Sequence, residues 1–400
     1  MLLLFLQYLQ QAGIALPMVF FYVSTRMMLA AMTSVVITIF CGPFFIRKLY
    51  ALKVGQPIRY ASECPLLAQL HKKKKDTPTM GGIILLFSLW ISLVLWMDFT
   101  SAFTWILLFT SGAFGLLGAV DDYIKLRQKQ AWGLSGKKKL LIQSFVTFLV
   151  SSYLLLPSVT QIVERATGIK PPSAKEFSVE KGEKGSFLTT KEYINQIYLP
   201  FKKTPLLVLQ WPLLLFLLAF FVTVGSSNAV NLTDGLDGLA AGCLVMVASV
   251  FALIAFLSNH VEIARYLHIL YIDQAGEIAV FLSSVAGACT GFLWYNGHPA
   301  QVFMGDTGSL SLGGIIGIAS ILLKREFLLA IVGGVFVLEA LSVILQVLSY
   351  RLRGGKRIFL CSPLHHHFEY KGWPETKVVL RFWIIALFLA ILGIASLKFQ

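Results

Sequence analysis

Residues 103–125 read FTWILLFTSGAFGLLGAVDDYIK, and this stretch decides the class of fold. Its first 18 residues carry no charge, and that length approaches the roughly 20 residues with which a helix crosses about 30 Å of hydrocarbon. Two adjacent aspartates, Asp121 and Asp122, then end the apolar run. The stretch predicts a transmembrane helix, Phe103–Val120, that carries two carboxylates at its end.

Similar apolar blocks recur along the whole chain. Of its 400 residues, 56% are hydrophobic and 14% charged, and the mean hydropathy is +0.74. These values exclude a soluble protein of this length. We therefore predict an all-α integral membrane protein, one polytopic domain over residues 1–400 with about ten spans. The predicted spans are Tyr22–Phe45, Met80–Met97, Phe103–Val120, Leu140–Leu156, Leu206–Val224, Leu236–Leu257, Ala275–Trp294, Ser309–Leu323, Phe327–Tyr350 and Val378–Leu397.

The loops between the spans carry an uneven share of Lys and Arg. Alternation places five loops on one side: 46–79, 121–139, 225–235, 295–308 and 351–377. The first, second and fifth hold dense basic runs, so the positive-inside rule makes this side cytoplasmic. The formal charge of +14 then suits lipid headgroups and phosphate substrates, and no recognised nucleic-acid-binding fold accompanies it.

Two segments lie outside this pattern. Residues 1–21 have no Lys or Arg before their apolar run, which indicates an interfacial helix and not a cleaved signal peptide. Residues 157–205 hold eight basic residues dispersed among glutamates. We expect an outer, periplasmic loop there, with a short hairpin or amphipathic helix near Tyr193–Leu199.

Six of the eight aspartates fall on the predicted cytoplasmic side: Asp76, Asp121, Asp122, Asp234, Asp237 and Asp306. Two adjacent carboxylates at a helix C-terminus repel each other and the helix dipole. A divalent metal would offset them, and Lys125, one helical turn on, could help. The alternative is a solvated helix end with a Lys partner.

Two further polar segments lie between spans on this side. Residues 228–239 hold two Asn, two Asp and two Gly, which supply ligands beside a backbone that a nucleotide can approach. Residues 294–309 place Asp306 at a helix start, where phosphate binds well and a carboxylate can hold Mg²⁺. Capped turns are the alternative for both segments, and core packing is the alternative for the Phe303 ring.

A run of three histidines, His365 to His367, lies in the basic loop before the last span. Its spacing matches no zinc pattern, because consecutive histidines point in different directions and no Cys pair accompanies them. Phosphate contact or proton transfer fits it better, with a solvated run as the alternative. For Glu339 and Arg381, both inside predicted spans, we expect partners within the protein.

Five motifs in this order resemble the phospho-MurNAc-pentapeptide transferases, within the polyprenyl-phosphate N-acetylhexosamine-1-phosphate transferase superfamily. The motifs are Thr77-Pro-Thr-Met-Gly-Gly82, Asp121-Asp-Tyr-Ile-Lys125, Asn231-Leu-Thr-Asp-Gly-Leu-Asp-Gly238, Phe303-Met-Gly-Asp-Thr-Gly308 and Pro363-Leu-His-His-His-Phe-Glu369. The sequence departs from the family at Asp76, where Gly is usual, and in a longer outer loop.

The resemblance implies transfer of phospho-MurNAc-pentapeptide from UDP-MurNAc-pentapeptide to undecaprenyl phosphate, with Mg²⁺. UMP and lipid I are the products, in the first membrane step of peptidoglycan synthesis at the bacterial inner membrane. The implied catalytic residues are Asp121, Asp122, Asp306 and His365, and the three aspartates are also the implied metal ligands. The implied substrate-binding residues are Lys74, Thr79, Lys125, Lys137, Asn231, Asp234, Asp237, Asn296, Phe303, His366 and His367.

The chemistry of the acceptor indicates how this reaction would run. A phosphate monoester has a second pKa of about 6 and is mostly a dianion at neutral pH, so it hardly needs a general base. We therefore expect direct attack by the lipid phosphate, with Asp306 primarily a metal ligand and with Asp121 and Asp122 orienting metal and acceptor. The alternative is an aspartate nucleophile that forms a covalent intermediate.

Two other functions compete with this reading. A sibling enzyme would transfer GlcNAc-1-phosphate from UDP-GlcNAc, and only motif detail argues against it. A polytopic transporter or lipid flippase should show polar groups at the bilayer midplane and two related halves. Here the polar clusters lie at span ends on one side, which favours an enzyme. A homodimer is compatible with the sequence.

Overall fold

The computed structural model describes residues 2–14, 17–52, 77–128, 133–177 and 185–398. The first half of the chain comprises α1 (Leu2–Gln11), a 3₁₀ turn (Met18–Phe21), α2 (Val23–Ala51), α3 (Gly82–Trp96), α4 (Ala102–Gln128), α5 (Gly136–Leu155), α6 (Pro157–Thr167), β1 (Ala174–Glu176), β2 (Ser186–Leu188), α7 (Thr190–Ile194), β3 (Gln196–Ile197) and β4 (Leu207–Val208). The second half comprises α8 (Pro212–Thr233), α9 (Leu239–Ser258), α10 (Val261–Leu267), β5 (Tyr271–Ile272), α11 (Ala275–Asn296), α12 (Gly305–Leu322), α13 (Glu326–Val332), α14 (Gly334–Leu352), α15 (Leu364–Tyr370) and α16 (Glu375–Ala395).

Within these ranges nine helices are long and apolar enough to cross a bilayer: α2, α4, α5, α8, α9, α11, α12, α14 and α16. The remaining predicted span corresponds to α3, which has 15 residues and rises only about 22 Å at 1.5 Å per residue. The predicted all-α membrane fold is confirmed.

Among the predicted boundaries that differ from the structure, three have an identifiable local cause. Helix α4 continues past Asp121 and Asp122 to Gln128, because Lys125 pairs with the carboxylates one turn earlier. Helix α8 starts later than predicted, at Pro212, where proline suits the first helical position, and it runs to Thr233. The predicted span Phe327–Tyr350 is broken after α13, where two consecutive glycines, 333 and 334, weaken helical continuity.

Helix α12 forms the centre of the bundle. Every residue from Thr307 to Leu322 is buried, and α4 and α8 pack against it. Small residues permit this contact: a Cβ on Gly313 would lie 2.6 Å from the carbonyl oxygen of Ser226, and one on Gly314 would lie 2.8 Å from the ring of Phe114. Close packing through glycine is a common basis of helix association in membranes.

The segment between α5 and α8 folds into two small antiparallel sheets. One sheet has the strand order β2-β1-β5, with Ala174 opposite both Leu188 and Ile272. The other pairs β3 with β4 directly after α7, so the structure contains the expected hairpin. Because β5 lies between α10 and α11, its pairing with β1 places the two connecting segments on the same side of the bundle.

A buried ion pair joins three helices near this end. The Nη2 of Arg26 donates to Oε2 of Glu277 at 2.7 Å, and both side chains are 6–7% exposed. Arg26 also donates from Nε to the carbonyl oxygen of Trp96 at 2.8 Å, and the backbone N–H of Asp98 donates to Glu277 at 2.8 Å. The pair therefore ties the starts of α2 and α11 to the end of α3.

Replacing Glu277 with Ala should destabilise the protein strongly. The change leaves the Arg26 guanidinium buried without its carboxylate, which typically costs about 3 to 5 kcal/mol. We expect a clear fall in the midpoint of thermal unfolding, measured on the purified protein in detergent.

Glu262→Ala is the matched control. Glu262 pairs with Arg265 at 3.4 Å, but its side chain is 79% exposed, and exposed pairs contribute little. Equal falls for the two variants would contradict the proposed role of the buried pair.

Candidate active site

Two sequence motifs that lie far apart along the chain form one backbone framework. The N–H of Phe303 donates to the carbonyl oxygen of Pro78, and the N–H of Gly81 donates back to the carbonyl oxygen of Phe303, both at 2.8 Å. The N–H of Gly82 donates to the carbonyl oxygen of Met304, also at 2.8 Å. A Cβ on Gly82 would collide with the backbone of Gly308. Glycine is needed here because the two segments touch through their main chains.

Helix α4 approaches the start of α12 equally closely. A Cβ on Gly118 would collide with the carbonyl oxygen of Asp306 and would lie 2.6 Å from Cα of Thr307. One helical turn further on, α4 carries Asp121 and Asp122. The glycine contact therefore sets how far these carboxylates lie from Asp306.

Asp122 caps the start of α12 from a neighbouring helix. Its Oδ2 accepts from the N–H of Thr307 at 2.9 Å and from the Thr307 hydroxyl at 2.7 Å, and its Oδ1 accepts from the N–H of Asp306 at 3.2 Å. The carboxylate is 2% exposed. It satisfies N–H groups that a helix start leaves without partners, and its charge suits the positive end of the helix dipole.

Two lysines join the aspartates into a cluster of charges. The Nζ of Lys125 lies 2.7 Å from Oδ2 of Asp121 and 3.1 Å from Oδ2 of Asp306. The Nζ of Lys139 lies 2.8 Å from the same Asp121 oxygen and 2.6 Å from the same Asp306 oxygen. The expected lysine partner of the aspartate pair is thus present, together with a second lysine.

The members of this cluster differ in exposure. Asp121 is fully buried, whereas the side chains of Asp306, Lys139 and Lys125 are 14%, 20% and 23% exposed. The backbone N–H of Leu134 donates to Oδ1 of Asp121 at 2.6 Å. Solvent therefore reaches the cluster at Asp306 and the two lysines, which is the side a ligand would meet.

The sequence pattern predicted a role for Lys137, but the lysine in the cluster is Lys139. Lys137 is exposed, while Lys139 bridges Asp121 and Asp306. Both belong to a run of three lysines at the start of α5, where successive side chains point about 100° apart at 3.6 residues per turn. The pattern could not say which lysine faces the aspartates. Lys74 and Asp76 lie outside the described residues.

The turn after α8 reaches the same centre. Asn231 donates from Nδ2 to the hydroxyl of Ser309 at 3.1 Å, and Oδ2 of Asp234 accepts from the N–H of Gly305 at 3.2 Å. Burial and the negative charge of Asp306 raise the pKa of Asp234 to about 7, although part of its side chain meets solvent. Thr79 is also close, since a Cβ on Gly305 would lie 2.8 Å from its hydroxyl.

Asp237 and Asn296 organise the neighbouring loop. Asn296 accepts from the N–H of Gly238 at 3.0 Å and donates to the carbonyl oxygen of Val302 at 2.9 Å, and it is 2% exposed. The Oδ2 of Asp237 lies 3.0 Å from Nδ1 of His298. Both residues bind loop backbone or loop side chains, while Phe303 remains half-buried beside them.

The histidine run forms α15, which Glu339 caps. This buried carboxylate accepts from the N–H of Leu364 at 2.7 Å and from that of His365 at 3.2 Å, and it lies 3.2 Å from Nδ1 of His365. His365 is fully buried, and its Nε2 packs against Gly235, where a Cβ would collide with it. Glu339 therefore has the internal partner that its position in a span predicted.

The three histidines occupy different environments. His366 places Nδ1 2.7 Å from Oε2 of Glu369, and His367 accepts at Nδ1 from the N–H of Leu360 at 3.1 Å. Burial and the nearby Lys371 lower the pKa of His367. His365 packs directly against the turn that holds Asp234. Arg381, the other ionisable residue predicted inside a span, lies over the Trp373 ring at 4.1 Å.

The three aspartates of the cluster lie close enough together to hold a metal ion. Carboxylate oxygens of Asp121, Asp122 and Asp306 lie within 4.8 Å of one another, and hard oxygen ligands suit Mg²⁺. Asp122 is held by three hydrogen bonds to the start of α12, whereas the Oδ2 atoms of Asp121 and Asp306 contact lysine ammonium groups, which an ion can displace. A second group, Asp237, His298 and Glu375, meets the same spacing, but Asp237 and His298 are already paired.

Comparison with known proteins fits this geometry. The family described as Glycosyl transferase family 4 matches residues 104–324, more than half of the chain. A curated protein of Protochlamydia amoebophila (strain UWE25), described as phospho-N-acetylmuramoyl-pentapeptide-transferase, is 58% identical over 411 aligned residues that cover all of both chains. The match includes the helices that carry the aspartates and the lysines. The chain is therefore a membrane transferase that belongs to glycosyl transferase family 4 and, within it, to the phospho-N-acetylmuramoyl-pentapeptide transferases.

Proposed function

We propose that this chain transfers phospho-MurNAc-pentapeptide from UDP-MurNAc-pentapeptide to undecaprenyl phosphate, forming lipid I and UMP. The observation that carries the proposal is the cluster of Asp121, Asp306, Lys125 and Lys139 at the start of α12. It combines cations for phosphate with carboxylates for a metal. The name and full-length similarity of the relative from Protochlamydia support this choice of donor.

The proposed setting is the bacterial inner membrane, with the cluster facing the cytoplasm. The basic residues of the loops that adjoin the cluster support this orientation through the positive-inside rule. A donor that is soluble and an acceptor that is a membrane lipid can meet only at such a surface. A homodimer stays a prediction.

We place Mg²⁺ on Asp306 and Asp121, with Asp122 holding the start of α12 in position beside them. When bound, the ion supplies positive charge that offsets the diphosphate of the donor. Lys125 and Lys139 form ion pairs with both carboxylates, and a phosphate oxygen can take over these contacts. The lysines thus hold positive charge where two anionic substrates must approach each other.

We infer that the uridine end of the donor lies beside Gly305, on the side that faces away from Asp121 and the two lysines. Thr79, Asp234 and the half-buried Phe303 ring border that region, whereas Asn231, Asp237 and Asn296 bind the protein itself and fix its shape. His365 is a positioning residue in this arrangement, because its ring is buried between Glu339 and the turn at Gly235.

The ion pairs also bear on the mechanism. Asp121 is fully buried and its Oδ2 lies within 2.8 Å of two ammonium groups, which makes it a weak nucleophile. The acceptor phosphate needs no base, as it is mostly a dianion at neutral pH. We therefore favour direct attack by the lipid phosphate over an aspartyl intermediate.

The donor preference tests the proposed function. Purified protein with undecaprenyl phosphate and Mg²⁺ should release UMP from UDP-MurNAc-pentapeptide, and a chelator should stop the release until Mg²⁺ is restored. UDP-GlcNAc at the same concentration should give no release above background. Release from UDP-GlcNAc alone would instead establish the sibling activity.

Isotope exchange tests direct attack. Without undecaprenyl phosphate, labelled UMP should not enter the pool of UDP-MurNAc-pentapeptide, because no covalent intermediate exists for it to attack. Adding the lipid phosphate and lipid I should permit exchange, which serves as the positive control. Label in the donor without any lipid phosphate would establish a covalent intermediate.

The contact between α4 and α12 predicts a strong effect of one methyl group. Gly118→Ala should displace Asp121 and Asp122 from Asp306 and lower kcat by at least about 100-fold, since a misplacement of about 1 Å can have that effect. Initial rates of UMP release measure it.

Gly112→Ala is the control on the same helix. A Cβ there would lie 3.9 Å from the Trp90 ring, an ordinary contact, so the rate should stay within about twofold of wild type. Circular dichroism and thermal unfolding of both variants separate misplacement from misfolding. Comparable losses in both variants would contradict the role of Gly118.

A further inference from the structure

A cavity of about 270 Å³ lies at the end of α14, outside the aspartate cluster. It is lined by Gln346, Val347, Tyr350, Arg351, Arg357, Cys361 and Ser362. The cavity is thus formed by the last two turns of α14 and by the chain that leads to the histidine helix. None of the interactions of the aspartate cluster involves these residues.

Gln346 gives the cavity a fixed wall. Its Oε1 accepts from the N–H groups of Ile358 and Phe359, and its Nε2 donates to the carbonyl oxygen of Phe359, all at 3.0 Å. One turn later, the hydroxyl of Ser349 donates to the carbonyl oxygen of Lys356 at 2.9 Å. The loop over residues 356–359 is therefore bound to α14, so the lining is preformed.

The charge of the cavity is positive. Arg351 and Arg357 are both exposed, and neither forms an ion pair with any carboxylate in the described part of the chain. Arg26 and Arg265, by contrast, each pair with a glutamate. A guanidinium presents a planar fork of donors that matches a carboxylate. Two such groups in one preformed cavity can together contact an anionic group.

The cavity lies within reach of the aspartate cluster. Ser362 precedes His365 by three residues, so at most about 11 Å of chain separates them. His365 packs against Gly235, and the adjacent Asp234 binds the N–H of Gly305 next to Asp306. An extended pentapeptide spans about 17 Å at 3.4 Å per residue. A donor held at the cluster can therefore direct its peptide toward this cavity.

We propose that Arg351 and Arg357 bind carboxylate groups of the donor's pentapeptide, so that this cavity reads the peptide part of the substrate. This inference rests on the proposed function, which supplies a donor with a peptide. Every peptide attached through its N-terminus ends in a free carboxylate. The hydroxyl of Ser362 suits peptide groups, and Val347 and Tyr350 suit aliphatic side chains.

The test uses the full-length protein and two donors of equal size. One is UDP-MurNAc-pentapeptide, and the other is the same molecule with its peptide carboxylates converted to amides. For Arg351→Gln/Arg357→Gln, we expect KM for the first donor to rise about 10-fold or more, because each charge-assisted hydrogen bond lost is worth about 1.5 kcal/mol or more. KM for the amidated donor should not change between wild type and variant.

Two variants keep the test specific. Arg353→Gln removes the same charge from an exposed residue of the same segment that does not line the cavity, and it should leave both KM values unchanged. Arg351→Lys/Arg357→Lys keeps the charge without the guanidinium fork and should recover part of the affinity. Both should unfold at the wild-type temperature.

Three results would overturn the inference. These are an equal rise in KM for both donors, no difference between the donors in wild type, or an effect that depends on anionic phospholipid in the nanodisc, which would assign the arginines to lipid headgroups. Failure of wild type to release UMP from either donor would overturn the proposed function itself. This outcome is distinct from the three above, because each of those requires an active wild-type protein.

Discussion

The structure depends on one interaction, the capping of α12 by Asp122. Helix α12 is the most completely buried helix of the bundle, so N–H groups at its start cannot rely on water. The carboxylate of Asp122 accepts three hydrogen bonds there, two from Thr307 and one from Asp306. Because Asp122 belongs to α4, the same contact that completes α12 also brings Asp121 and Asp306 together.

That contact brings negative charges together, and two lysines partly compensate them. Three carboxylates within a few ångströms repel one another, and burial makes the repulsion stronger because the surroundings screen it less. Lys125 comes from the same helix, and Lys139 comes from α5. The two lysines offset two of the three negative charges in the folded protein. The two ammonium groups lie on the solvent-exposed side of the cluster, which anionic substrates would reach first.

Similar acid contacts recur at other junctions of the fold. Glu277 accepts from the backbone of Asp98, Glu339 from the start of α15, and Glu375 from the N–H of Asp237. In each case a carboxylate on a helix accepts from backbone of a segment remote in sequence. Apolar side chains alone do little to fix the relative positions of packed helices. These directional hydrogen bonds fix those positions. His365 joins the histidine helix to the turn at Gly235 by packing of its ring.

The all-α membrane fold follows from the sequence, because apolar runs of about 20 residues permit few other structures. The sequence also pointed to Asp121 and Asp122, as paired carboxylates at the end of an apolar run, and to Asp306, at a predicted helix start. The tertiary structure alone decided that Lys139, and not Lys137, meets them, and that Asn296 and His365 are buried and serve the framework. These outcomes depend on which face of a helix meets its neighbours and on where backbone N–H groups need acceptors. Both are set by contacts between segments far apart along the chain, and periodicity and composition within a segment do not carry that information.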